Sequence, residues 1–187
     1  MNPQEIIARP LELWVAPAGE SFPAVGAAPV GNWVLLGKSG DKSYTEDGVT
    51  IQLAQTIEEW TPAGSTMAVK AFRTNEQVLI GVTIADITAE NLKVALNGNT
   101  VTSALDESEL SLIQGMDVEE YALLARGMSP YDNDKAGQFQ VPRCYQAAEP
   151  EVTFQKGEPA AVELSFASLD PGKDDEDDFV VIYEEAS

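Results

Sequence analysis

The side chains that most enzymes use for chemistry near neutral pH are scarce in this chain. Histidine does not occur, which excludes Ser-His-Asp triads, Cys-His pairs and histidine-bound zinc. The single cysteine, Cys144, lies in the strand-like segment VPRCYQ, where we expect it to pack as a small apolar side chain. A glycosidase needs only two carboxylates, so the 31 acidic residues leave that chemistry open, although aromatic residues for sugar binding make up only 7% of the chain. The sequence therefore predicts no enzyme and no cofactor.

Two segments resemble the start of ligand-binding motifs. Five residues separate Gly31 from Gly37-Lys38-Ser39, where a phosphate-binding loop needs four, and those five residues have the pattern of a strand. Asp132-Asn133-Asp134 with Gly137 begins like a calcium loop, but Arg143 occupies the position that requires a bidentate carboxylate. We predict polar turns at both places and no metal site.

The charge balance is strongly acidic, with 31 acidic and 11 basic residues and a net charge of −20. This balance disfavours binding to the outside of DNA or to an anionic membrane, because both depend on Lys and Arg. Asp170 and 174–178 form the densest acidic run, predicted to be a solvated turn or a surface that faces a channel. The charge fits a soluble surface, and it fits equally a conduit whose wall repels DNA over roughly 8–10 Å at ordinary salt.

The elements that must position these residues are mostly strands. Period-two alternation between turn residues predicts strands at 11–16, 32–37, 76–85, 109–113, 118–126, 138–146, 160–169 and 179–183, besides the two arms of a long hairpin. Pro142 falls inside one of these strands, which predicts an edge or a bulge there.

One helix is predicted over AENLKVAL, with Thr88 as its N-cap and Asn97-Gly98 as its stop. Its apolar stripe is predicted to comprise Leu92, Ala95 and Leu96. The pattern indicates a mainly β fold, a β-sandwich or barrel-like sheet with one flanking α-helix. We expect a single domain over 1–187, with an N-terminal arm at 1–10 and an acidic turn and C-terminal strand at 170–187.

The long hairpin lies within 31–74. Its first long strand alternates an apolar set (Val49, Ile51, Leu53, Gln55 and Ile57) with a small polar set (Thr50, Gln52, Ala54, Thr56 and Glu58). The polar set is expected to face water. The tip over 58–70 is too long for a tight turn and carries Trp60, Pro62, Gly64 and Met67. A protruding hairpin with an apolar tip predicts contact with another protein.

This segment, with EDGVTIQLAQTIEEW, PAGST and KAFRT in order, resembles the tail tube (major tail) proteins of non-contractile, long-tailed bacteriophages. The likeness continues through 78–102 and 119–169. It implies a tail tube fold whose hexameric rings stack into a conduit for DNA, a fold that the tubes of contractile tails share. It also implies partners, namely further copies of the chain, a tape measure protein, and tail terminator and distal tail or baseplate proteins. The location implied is the virion tail, after assembly in the bacterial cytoplasm.

Under that expectation the hairpin has two roles. The candidates for the lumen surface are Thr50, Gln52, Thr56 and Glu58. The candidates for an inter-ring stacking loop are Glu58, Trp60, Pro62, Met67 and Lys70. No apolar run approaches the ~20 residues that a membrane-spanning helix needs, so we expect no membrane among the partners. The alternative is a secreted or surface β-sandwich binding module, which the fold class and acidity favour. The first residues, MNPQEIIARPLELW, oppose it because they lack the pattern of a secretory signal.

Overall fold

A computed structural model describes residues 10–104, 107–113, 115–128, 136–152, 154, 156–157, 159–172 and 179–183. The predicted arm at 1–10, apart from Pro10, lies outside the described residues, as do the turn at 132–134 and the acidic run at 174–178. The described part is mainly β with one α-helix, which confirms the predicted fold class at that level.

The elements in chain order are β1 Glu12–Pro17, β2 Val34–Leu35, β3 Tyr44–Trp60, β4 Lys70–Ile84, α1 Ala89–Ala95, β5 Val101–Ala104, β6 Glu107–Leu110, β7 Glu120–Met128, β8 Ala136–Gln146, β9 Val162–Ser168 and β10 Val180–Tyr183. Eight strands form one sheet in the order β2-β1-β7-β8-β9-β4-β3, with β10 beside β8, while β5 and β6 pair with each other. All of these pairings are antiparallel.

The structure differs from the predicted strands in four places. The segment predicted at 32–37 pairs only over β2, and 109–113 pairs only up to Leu110. The short strand β5 was missed, because Val101 is the one large apolar residue in it and no alternation marks it. The return arm of the hairpin and the strand predicted at 76–85 are one continuous strand, β4, with a register shift at Thr74.

Strand β8 changes partner along its length. Its residues 137–140 pair with β10 and its residues 144–146 pair with β9, while β7 pairs along the other edge. Pro142 lies between the two pairings, beside a register shift against β7. Proline cannot donate to the ladder, so the change of partner falls where the missing N–H costs least. The predicted bulge at Pro142 is confirmed.

The main core lies on one face of the large sheet. It is formed by Leu13, Val15, Leu36, Tyr44, Ile80, Val82, Ile84, Val94, Ala95, Tyr121, Leu123, Ala125, Val141, Cys144, Val162, Leu164 and Phe166. Alternate residues of β4 and β9 face each other in this cluster, as the register Ile80↔Phe166 and Val82↔Leu164 requires.

The helix α1 begins and ends as predicted. The Thr88 hydroxyl accepts a hydrogen bond from the Asn91 backbone N–H at 3.2 Å. Asn97 and Gly98 follow with φ values of 53° and 84°, the left-handed conformation that ends many helices.

The buried face of α1 differs from the predicted stripe. Asn91, Val94 and Ala95 are buried, whereas Leu92 and Leu96 are only half-buried. The Asn91 side chain fixes this orientation, because its Oδ1 accepts from Gly37 N at 3.4 Å and its Nδ2 donates to the Asp86 carbonyl at 2.7 Å. A polar side chain thus orients the helix more than its apolar stripe does.

Tyr44, the first residue of β3, links the two ends of the strand order. Its hydroxyl donates to the Leu36 carbonyl at 2.9 Å, just after β2, and accepts from the Leu13 N–H of β1 at 3.0 Å. Burial raises the pKa of Tyr44 to about 12, so the phenol stays neutral and can donate. The two outermost strands in the sheet order, β2 and β3, therefore lie around one core.

Tyr44→Phe is expected to lower the free energy of unfolding by about 2–3 kcal/mol, because it leaves the buried Leu13 N–H and Leu36 carbonyl without their partner. Urea denaturation of the dilute protein measures this. Tyr121→Phe is the matched control: the Tyr121 hydroxyl is buried and has no hydrogen-bond partner among the described residues. Its removal should leave the free energy of unfolding unchanged or raise it, and equal losses in both variants would contradict the assignment.

Candidate functional site

The β3–β4 hairpin extends beyond the rest of the sheet. β3 and β4 pair from Tyr44↔Ile84 to Trp60↔Lys70, whereas β9 pairs with β4 only from Leu79 to Ile84. Outward of Val78 the hairpin is therefore a two-stranded ribbon. Its residues 53–60 span roughly 25 Å at the usual rise of a strand.

The loop that joins the two strands is shorter than the predicted tip at 58–70. Glu58, Trp60 and Lys70 are paired strand residues, and the connection comprises residues 61–69. The Val69 N–H donates to the Trp60 carbonyl at 3.0 Å and closes the loop. Pro62 and Met67 lie within it.

The ribbon exposes large apolar side chains. Leu53 is 78% exposed, Trp60 56% and Met67 76%, and Ile57, Val69 and Phe72 are exposed as well. The register places Trp60 and Phe72 on one face together with Glu58 and Lys70. A two-stranded ribbon is marginal in water without a surface to pack on, and contiguous exposed apolar groups mark interaction sites. This end of the hairpin is a candidate binding surface.

The polar set of the hairpin is exposed as expected. Thr50 and Gln52 share their face with Ser165 and Glu163 of β9, across the Gly81 and Thr83 positions of β4. A shallow depression of about 270 Å³ lies on this face, and its only charged lining residues are Asp47 and Glu163. Thr56 and Glu58 continue the same face along the ribbon. The face is polar from Thr50 to Glu58, and at the end of the ribbon it also carries the exposed rings of Trp60 and Phe72. Its role as a lumen surface stays a prediction.

The same face is covered at the other end of the sheet. The segment 18–33 folds over β1 and β7 and forms a second cluster of Ala16, Trp33, Ala122 and Leu124, against which Trp14 and Phe22 pack. Arg126 fixes this segment by donating to the carbonyls of Ala24 and Ala27, and Gln138 donates to the Pro23 carbonyl. Trp14 and Trp33 are therefore packing residues of this cluster. No described segment covers the β9–β4–β3 end of this face.

A groove of about 600 Å³ lies between β1, β2 and α1, and we call it the α1 groove. Its lining residues come from four segments of the chain, within 15–17, 31–38, 88–94 and 119–121. Most of the lining is apolar, and its charged residues are Lys38, Glu90, Lys93 and Glu119. Sequence reasoning missed this groove because no single segment carries a recognisable part of it.

Tyr121 lines the α1 groove and carries an unusual polar group. The side chain is 6% exposed, and its hydroxyl has no hydrogen-bond partner among the described residues. Burial raises the pKa of this phenol well above its usual range. A buried hydroxyl without a partner costs about 1–3 kcal/mol.

Both motif-like segments are ordinary structure where they are described. Val34 and Leu35 form β2, and Gly37 has φ +77° in the turn that follows, where a Cβ would approach the Ser43 Cβ to 2.8 Å. Gly137 and Arg143 both lie in β8. The Arg143 guanidinium donates to both carboxylate oxygens of Glu120, at 2.6 and 2.7 Å, and lowers the pKa of that carboxyl.

No group of three or more potential metal-ligating side chains occurs among the described residues. In the same part of the chain, no helix is long and apolar enough to cross a membrane. The comparisons with known proteins add no relative: no protein-family model matches the chain, and neither does any curated protein.

Cys144 is expected to be inert in the folded protein. The side chain is buried, its thiol donates to the Tyr121 carbonyl at 3.3 Å, and burial raises its pKa to about 12. At pH 8 its reaction with a thiol-disulfide reagent should be at least about a hundredfold slower in the native protein than in urea, because the thiolate is the reactive form. Comparable rates in the two states would contradict the burial of this residue.

Proposed function

We propose that this chain is the structural subunit of the tail tube of a non-contractile, long-tailed bacteriophage. The subunits form hexameric rings, and the rings stack into a conduit through which DNA passes. The observation that carries the proposal is the β3–β4 ribbon, which leaves a well-packed sheet and exposes Trp60, Phe72 and Met67 at its end. A surface of this kind serves contact between proteins rather than chemistry on a small molecule.

The sheet supports a barrel-like subunit. The Tyr44 hydroxyl bonds to β1 and to the residue after β2, so strands from opposite ends of the order lie around one core. The helix α1 covers part of that core, as the resemblance implies for a tail tube fold.

Ring formation would also protect the outer strands. Among the described residues β3 pairs only with β4 and β2 only with β1, so each leaves one edge without a partner strand. Exposed edges invite uncontrolled pairing, and rotational closure removes that hazard by pairing each edge with a neighbour. β3 is 17 residues long, so the edge that it leaves without a partner strand is a long one.

The open polar face would line the lumen. It bears Thr50, Gln52, Thr56 and Glu58 on β3, with Asp47 and Glu163 at its base. Hydrated and acidic groups repel phosphate, and with a net charge of −20 the tube would conduct DNA without binding it.

The assembled chain would have further partners. A tape measure protein would occupy the lumen during assembly, and tail terminator and distal tail or baseplate proteins would cap the two ends. The subunit would assemble in the host cytoplasm and remain in the virion. It would bear no catalytic residue and require no cofactor.

Trp60→Ala should abolish tube formation while leaving the subunit folded. Trp60 is more than half exposed, so its truncation should change the free energy of unfolding by less than about 1 kcal/mol. Negative-stain microscopy of concentrated protein measures tube formation. Phe154→Ala, which removes an exposed aromatic ring outside the hairpin, is the control and should assemble normally. Intact tubes from Trp60→Ala would exclude the tip from stacking.

A double substitution, Thr50→Lys with Gln52→Lys, should convert the lumen into a DNA-retaining surface. Both positions are exposed, so the subunit should still fold and assemble. Its tubes should retain a short DNA duplex that wild-type tubes release, and retention should fall steeply with salt. Co-sedimentation of labelled duplex with tubes measures this.

The matched control for that experiment places the same two charges elsewhere. Leu112→Lys with Ile113→Lys changes two exposed residues outside the hairpin. Equal DNA retention by both double variants would show that the β3 face has no special access to DNA.

A further inference from the structure

We propose that residues 1–9 fold back onto their own subunit and pack Ile6 and Ile7 against the base of the β3–β4 ribbon, around Leu53. The surface that receives them is the side of the ribbon that continues the main core, and we call it the core-side face. The inference goes beyond the proposed assembly, because it concerns an apolar surface that the described residues of a single subunit leave exposed.

The core-side face is an unfinished extension of the core. Val49, Ile51 and Val78 are partly buried against the main cluster. The next residue on the same side of β3 is Leu53, which lies opposite Val78 and is 78% exposed, and Ile57 further along is 52% exposed. An apolar face that runs out of a core into solvent indicates a surface that another segment covers.

The described chain begins close to the start of β3. The Leu13 N–H donates to the hydroxyl of Tyr44, the first residue of β3, at 3.0 Å. The Glu12 carboxylate lies against Gly40, just before β3, where a Cβ would approach its Oε1 to 2.8 Å. Leu11 packs against the main core. Residues 1–9 therefore join the fold at the border of the core and beside the base of the hairpin.

The strand directions lead these residues toward the ribbon. Every pairing in the large sheet is antiparallel, so β1 runs opposite to β3. Followed backward from Leu13, the chain thus heads the same way as β3 does from Tyr44. Leu53 lies roughly 30 Å along β3 from Tyr44, and Ile6 lies up to roughly 23–25 Å of extended chain from Leu13. The side chains of the isoleucine pair can bridge the remainder.

The chemistry of the two surfaces agrees. Ile6 and Ile7 are adjacent, large and apolar, and they match the aliphatic side chains of the core-side face. The charged groups next to Leu53 on that face are already paired, because Arg73 forms an ion pair with Glu76 and donates to the Gln55 side chain at 3.0 Å. An apolar pair can therefore approach without leaving an unpaired charge beneath it.

Attachment favours the subunit's own segment over that of a second copy. A short link from Pro10 holds residues 1–9 beside the face at an effective concentration on the order of millimolar. A copy in solution at micromolar concentration would have to bind about a thousandfold better to compete. The occupant of the core-side face in the dilute subunit is therefore the segment that precedes Pro10.

Thiol labelling of the dilute subunit tests this contact with two matched leucines. Leu53 and Leu112 are 78% and 77% exposed among the described residues, and the buried Cys144 does not react. If residues 1–9 cover Leu53, Leu53→Cys should react with a thiol reagent at least tenfold more slowly than Leu112→Cys. Equal rates would overturn the proposal.

Substitutions within residues 1–9 identify the covering segment. Adding Ile6→Asp with Ile7→Asp should remove the protection of Leu53→Cys. Asn2→Asp with Gln4→Asp adds the same two charges, keeps the isoleucine pair and should retain the protection. Protection that survives loss of the isoleucines would overturn the proposal, because another segment would then cover the face. Protection that grows with protein concentration would also overturn it, because the cover would come from a second copy.

A second measurement leaves Leu53 in place, since Leu53→Cys itself removes part of the contact. Binding of a dye that fluoresces on exposed apolar surface should rise at least twofold in the dilute Ile6→Asp with Ile7→Asp variant. The Asn2→Asp with Gln4→Asp control should bind the dye like the wild type. An unchanged signal in the isoleucine variant would overturn the proposal. All of these results come from dilute subunits, so they leave the tube function to its own tests.

Discussion

The structure depends on one segment of β4, Leu79–Ile84, which pairs with β9 along its whole length and with β3 at every residue except Thr83. Alternate members of this segment point into the core, and the others form the centre of the open polar face. The same strand then continues outward as half of the ribbon. A slip of one residue would exchange the two faces, so this register fixes the core, the acidic face and the direction of the hairpin together.

The distribution of apolar groups separates a self-sufficient domain from an unsatisfied extension. Around the main core, the Tyr44 hydroxyl and the Asn91 amide are hydrogen-bonded, although the Tyr121 hydroxyl is not. On the ribbon, by contrast, Leu53, Trp60 and Met67 face solvent on a pair of strands that has no core of its own. The base of the hairpin is therefore packed in the core, and its end is exposed as a candidate binding surface. Such a division suits a subunit whose final structure is completed by its neighbours.

The features that could be predicted from the sequence are those that depend on neighbouring residues. Alternation at Val78–Ile84, the Thr88 cap with the Asn97-Gly98 stop, and the bulge at Pro142 each follow from neighbouring residues, and the structure confirms them. Features that arise from distant segments could not be predicted. The cover formed by 18–33 depends on Arg126 and Gln138, roughly a hundred residues later, and the α1 groove is assembled from four segments. Of the stripe predicted for α1, Ala95 is buried but Leu92 and Leu96 are only half-buried, because Asn91 makes tertiary hydrogen bonds that its polarity does not reveal.

Cryo-electron microscopy of the concentrated protein tests the central claim most directly. The account predicts stacked rings of six subunits around a channel wide enough for duplex DNA. Thr50 and Gln52 should face that channel, and Trp60 should be buried against the adjacent ring. Dispersed monomers at every concentration, or an assembly in which Trp60 remains in solvent and the β3 polar face points outward, would contradict it.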